Sequence, residues 1–264
     1  MKKISTKVYF YSTLICTAIL STIYSLSFIV SFDTPIAYFS ANSILPHIAK
    51  YLFLCTIIWI LSIFISIPKN SLIKTQCTAS FMSKFSSVFV AISLLAYAVT
   101  KILATSASKL SIIEIIMAIL SAAYFAGNII TSWKNNFRVT LGISVILWAT
   151  ASMAEAYINR FVTMNNPIKI LLMLSMMSIM FFALYEIKCL TCSSAPRAYV
   201  ASTLANICIS VTFAVSFLII YVSGIYAIKE FMPHAIISLT IAFYNICKLS
   251  DFLSAQEKAP TNEQ

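Results

Sequence analysis

The chain of 264 residues is 60% hydrophobic and only 10% charged, with a formal net charge of +10. Its mean hydropathy of +0.92 excludes a soluble globular domain, whose charged fraction is roughly 25%, because no water-facing fold could cover so much apolar surface. Nor does the positive charge signal nucleic acid: the 18 Lys and Arg residues are scattered between apolar runs, with no basic stripe and no binding motif.

A spanning helix needs ~20 mostly apolar residues, and the runs, taken in chain order, predict eight spans. They lie at 8–32, 47–67, 86–107, 110–131, 139–163, 168–187, 198–225 and 233–250. The opening MKKISTK looks like a secretory leader, but the apolar run after it is long for one and no A-x-A-like site follows. It reads as a first, uncleaved span. Pro35, Pro46, Pro68, Pro167, Pro196 and Pro233 fall in or beside connections, Pro260 lies in the tail, and Gly occurs only at 127, 142 and 224. Broken helices of the kind found in many secondary transporters need interior Gly or Pro, so that architecture is disfavoured. The expected fold is an all-α polytopic bundle, with one eight-span domain over 1–253 and a short polar tail over 254–264.

Orientation follows from the side on which Lys and Arg collect. Lys2, Lys3, Lys7, Lys69, Lys74, Lys84, Lys134, Arg138, Lys188, Arg197, Lys248 and Lys258 fall on one side; Lys50, Lys101, Lys109, Arg160, Lys169 and Lys229 fall on the other. The heavier side is expected to be cytoplasmic, which puts both termini there. A faint repeat accompanies this pattern. The third and fourth spans close a hairpin across KILATSASKLS, and the fifth and sixth do so across NRFVTMNNPIK; NNFRVTLG and SAPRAYVA follow them.

The unusual feature is a charged layer. In WATASMAEAYINRF (148–161), Glu155 sits ~8 residues, or ~12 Å, below the outer end of its span. Lys101 lies at a similar depth in the third span, with Lys50 and Glu114 near the outer ends of the second and fourth and Arg160 and Asp33 above or beside them. Helical spacing gives the layer an inward face: Trp148, Ala151, Ser152, Glu155 and Asn159 in one span, Ser93, Tyr97 and Lys101 in another, Glu114, Ala118, Ser121 and Phe125 in a third. The last two spans add Ser202, Asn206 and Ser210, and Ser238, Ala242 and Asn245. An ionised side chain at a helix centre costs about 2.5–3.5 kcal/mol on insertion scales, so a Lys101–Glu155 pair is expected, with Glu114 and Lys50 completing a polar pocket. The same charges could instead snorkel to the interface or lock helices in register.

Other candidates are weaker. Cys189 and Cys192 form a lone C-x-x-C, in KCLTCS, on an inner connection; with Cys77 and Cys247 they are weak candidates for zinc. His47 and His234 are both placed near the outer interface, where they could meet or simply face water. The methionines of LLMLSMMSIMFF read as packing, and Glu186 is expected to snorkel or to pair with Lys188 or Arg197. No H-E-x-x-H, G-x-S-x-G or P-loop occurs. An enzyme is therefore the least supported reading, and no cofactor is implied.

The segments DTPIAYFSANSILPHI (33–48), NNPIKILLMLSMMSIMFFALYEIK (165–188) and APRAYVA (195–201) resemble a family of uncharacterised multi-pass membrane proteins from anaerobic, gut-type bacteria. The likeness covers most of the chain, through loose motifs at span ends. It implies a bacterial inner-membrane location and a membrane domain without an output domain, and it carries over no catalytic or binding residue. Two function readings stand. In one, the outer layer of Glu155, Lys101, Glu114, Lys50, Arg160, Asn159 and Tyr97 binds a small molecule or ion for transport or sensing. In the other, its charges serve a non-catalytic subunit or assembly factor by locking helices or a partner membrane protein.

Overall fold

Inside a bilayer no water is available to backbone N–H and C=O groups, so a long apolar run is driven to satisfy them as a helix. The computed structural model describes residues 5–33, 38–40, 42–67, 80–103, 109–129, 135–159, 162–191, 196–224 and 229–258. Among these residues the eight predicted spans are eight helices: α1 (Thr6–Ser31), α2 (Leu45–Ser66), α3 (Phe81–Leu103), α4 (Lys109–Gly127), α5 (Asn135–Ile158), α6 (Pro167–Thr191), α7 (Pro196–Val222) and α8 (Met232–Lys258). Each is long and apolar enough to cross a membrane. The chain is an all-α, multi-pass integral membrane protein, and side chains such as Ile65, Phe81 and Leu103, all at least 75% exposed, project where lipid replaces water.

The helix ends follow local chemistry. Pro46, Pro167, Pro196 and Pro233 all sit in the first turn of a helix, where the missing N–H would have had no intrahelical partner. The third helix starts at Phe81 rather than at 86 because Ser80 caps it, its Oγ accepting from the Ser83 N–H at 3.3 Å. Gly224 stops α7 in the left-handed conformation, at φ 68°, which only glycine adopts freely. The last helix runs through Lys258, so residues 254–258 of the predicted tail continue it. Between α1 and α2 lies a two-residue antiparallel ribbon that the apolar pattern does not foretell. It comprises β1 (Phe32–Asp33) and β2 (Tyr38–Phe39), with Phe32 opposite Phe39; the Phe28 and Phe39 rings meet at 4.7 Å over it.

Helices α3 to α8 form a closed ring in chain order: each packs on its sequence neighbours, and α8 returns to pack on α3. The α1–α2 pair stands outside the ring, with α1 against α7. It is tied internally by Trp59 Nε1 donating to Ser12 Oγ at 2.8 Å and by Tyr9 and Ser62 hydroxyls at 2.7 Å. Helix α7 is therefore enclosed from both sides, which suits a sequence apolar nearly all round.

Within the ring, α6, α7 and α8 meet through small polar residues. Asn245 donates to Asn206 Oδ1 at 2.7 Å; Asn206 donates to Ser178 at 2.9 Å and Ser210 at 3.1 Å; Ser175 is 3.0 Å from both Ser210 and Ser238. These are the stripes expected on the last two spans, joined by two serines of α6. Asn206 to Ser210 runs along α7; the bonds that cross between helices average ~0.6 kcal/mol each. Their larger effect is rotational, since every hydroxyl must face its partner.

Candidate functional site

The charged layer assembles where α3 and α5 end and α4, α6 and α8 begin. One turn separates Tyr97 from Lys101 on α3, so both face the ring. Glu114 on α4 is completely buried. Its Oε1 accepts from Ser152 of α5 and lies 3.6 Å from His234 Nε2 of α8, while its Oε2 lies 3.4 Å from Lys101 Nζ. Lys101 also donates to Glu155 Oε2, and Ser111 donates to Glu155 Oε1 at 3.4 Å. One ammonium is thus shared by two carboxylates from two other helices.

Aromatic groups close the inner side. The Lys101 Nζ lies 5.6 Å from the Tyr97 ring centroid, within cation–π range. The Tyr97 hydroxyl is 3.3 Å from His234 Nε2, and the Trp148 ring stands edge-on to Tyr97 at 6.0 Å. His234 is only 4% exposed, and its Nδ1 has no hydrogen-bond partner. Above this layer a cavity of about 380 Å³ is lined by Lys101, Glu155, His234, Asn159, Glu230 and the apolar Phe231, among others. The Asn159 amide donates to Glu230 at 2.7 Å, forming part of the rim.

The end of α5 is held from below by Lys169. This side chain is completely buried, and its ammonium donates to the carbonyls of Tyr157 (3.3 Å), Asn159 (2.8 Å) and Val162 (3.0 Å). Its N–H groups are spent on carbonyls at and just beyond the C-terminus of α5, where positive charge is favoured. Asn166 starts the next helix, accepting at its Oδ1 from the Ile168 N–H at 2.9 Å with Pro167 in the first position. This cap fixes Lys169 in the first turn of α6, and α5 stops at Ile158 rather than continuing to 163.

Comparisons with protein-family models, with curated proteins and with solved structures gave no match. The chemistry of the layer therefore rests on its own geometry.

Of the residues expected to share this layer, the structure brings together Glu155, Lys101, Glu114, Tyr97 and Asn159. Lys50 is not among them: it is exposed on α2, which packs against α1 and the flank of α7 outside the ring. Depth along a span placed Lys50 correctly, but its helix faces elsewhere. Asp33 lies in β1 beside α1, and Arg160 and Cys192 lie outside the described residues. Cys189 is exposed, and no group of three or more His, Cys, Asp or Glu residues suited to a metal occurs among the described residues.

His47 and His234 do not meet. His47 is exposed at the start of α2, whereas His234 is sealed against α3 and α4. His234 continues the Ser238–Ala242–Asn245 stripe one turn toward the helix start, so extending that stripe by four residues places it on the inward face. Glu230 and Lys169 were missed because nothing in their local spacing separates them from ordinary interfacial charges. Lys101 and Asn159, which open the two hairpin segments of the faint repeat, both line the cavity.

Glu186 also departs from expectation. Rather than snorkelling or pairing with Lys188, which is exposed, it is 7% exposed and turned into the ring. It accepts from the Tyr244 hydroxyl at 2.7 Å; Asn128 donates to that hydroxyl at 3.1 Å and accepts from Arg138 at 2.6 Å. Arg197 instead donates to the Phe64 carbonyl at 3.2 Å. A second buried polar group therefore sits at the far end of the ring.

Proposed function

We propose that this is a bacterial inner-membrane protein, with both termini cytoplasmic, that binds a small molecule or ion in the Lys101–Glu114–Glu155–His234 layer and transports or senses it. The excess of Lys and Arg on one side supports the orientation, and the resemblance to membrane proteins of anaerobic bacteria supports the location. One observation carries the binding reading: ionisable groups from four helices converge beneath a cavity that two of the ion-pair members, Lys101 and Glu155, themselves line. Groups serving only as a helix lock gain nothing from facing an open volume. The sensing form would act through a partner membrane protein.

A structural reading has its own support, because Lys101 is shared by both carboxylates and Lys169 is spent on three carbonyls. The two readings separate on Glu155→Gln. A binding role predicts wild-type abundance in the membrane together with altered solute uptake or growth in a profile of small solutes. An architectural role predicts loss of folded protein, with normal growth and uptake once expression is matched, and that result would discard the binding reading.

A further inference from the structure

We propose that the ligand is a small primary ammonium compound with a short apolar body, which competes for the seat that the Lys101 side chain fills. The inference rests on the layer being a ligand site and names what it takes. Lys101 is itself an alkylammonium. Its head lies between Glu155 and Glu114 and over the face of Tyr97, which are the partners that recognise such a head: carboxylate acceptors and an aromatic face.

Further observations make this a site and not only an ion pair. Lys101 and Glu155 remain 22% and 30% exposed at the cavity, so the ammonium can withdraw to water along its flexible stem. The rest of the lining includes Ala156, Leu172, Phe231 and Pro233, apolar surface that an inorganic ion cannot use and a hydrocarbon body can. The volume of about 380 Å³ lies within the ~300–1,000 Å³ of small-molecule sites. His234, more than nine-tenths buried, also contributes to the lining, and its Nδ1 has no hydrogen-bond partner. Binding is then an exchange of one ammonium for another on Glu155, with Glu114 holding the field beneath.

The test uses the purified full-length chain in detergent, with thermal unfolding and tryptophan fluorescence as readouts. The probe is n-butylammonium chloride, compared with butan-1-ol, sodium butyrate, NaCl and KCl at matched ionic strength. A saturable rise in unfolding midpoint of about 5 °C is expected for butylammonium alone at ~100-fold excess over Kd. Glu155→Gln should raise the half-saturating concentration at least tenfold. Lys101→Ala, by removing the resident competitor, should lower it at least tenfold, and Lys101→Gln gives a second reading should the alanine variant fail to fold. Equal responses to KCl or NaCl overturn the ammonium class, as does no saturable response in the wild type. A response in the Lys101 variants alone makes Lys101 a permanent lock and also overturns the proposal. A Glu155-dependent response to butyrate or butanol overturns the ligand class while leaving the binding reading intact.

Discussion

Removing Lys101 is the perturbation with the most specific consequence, because its ammonium serves two carboxylates of unequal burial. At the 3.4 Å separation from Glu114 and an effective dielectric of 20, the raw attraction is about 5 kcal/mol. Solvent access to Lys101 reduces this, and part of the attraction only offsets desolvation. Lys101→Met is therefore expected to destabilise the bundle by about 2–3 kcal/mol. Glu114 is fully buried, whereas Glu155 is 30% exposed, so Glu114 is the charge that suffers more when left bare. Adding Glu114→Gln to Lys101→Met should recover more stability than adding Glu155→Gln, by ~1 kcal/mol. Reversible unfolding in mixed micelles, run as two double-mutant cycles, measures both couplings. If both doubles equal the sums of their singles within ~0.5 kcal/mol, the shared-ammonium geometry is refuted. If the Glu155 double recovers more, the burial order is refuted.

Three other outcomes follow from the packing. Lys169→Met should cost about 2–4 kcal/mol in the same unfolding assay, since three carbonyls at the end of α5 lose a buried charged donor; a planar guanidinium in Lys169→Arg should restore less than half of it. Asn206→Leu should cost about 1–2 kcal/mol, because the residue bridges Ser178, Ser210 and Asn245; a loss below 0.3 kcal/mol would show that the network does not set helix rotation. At Gly142 an added Cβ would stand 2.7 Å from Ile187 Cγ1 and 3.2 Å from Tyr124 Cε2. Gly142→Val is therefore expected to destabilise by about 1–3 kcal/mol and Gly142→Ala by less, since it adds a single methyl; equal midpoints for wild type and valine variant would argue against the close α5–α6 approach.

The fold was largely legible before any coordinates. Eight apolar runs became eight helices with ends displaced by a few residues, and the largest shift at a helix start traces to the Ser80 side-chain cap, which hydropathy does not weigh. The site was legible in part. Lys101, Glu114, Glu155 and Tyr97 were singled out because a charge inside an apolar run is conspicuous and helical spacing gives it a face. Lys50 met the same criterion and failed, since its helix lies outside the ring. His234 and Glu186 show the converse: one was set aside as an interfacial histidine and the other as a snorkelling carboxylate, and both are buried.

Sequence by itself determined that this protein belongs in a membrane, how many times it crosses, and how deep each charge lies along its own helix. Lipid imposes a one-dimensional rule, in which run length and position within the run suffice. Only tertiary structure decided which charges meet. That depends on the order of helices around the ring and on the rotation of each about its axis, which are set by contacts between residues far apart in the chain. Closure of α8 on α3 brings His234 to Tyr97 across 137 positions, and with it to the carboxylate that Lys101 already faces.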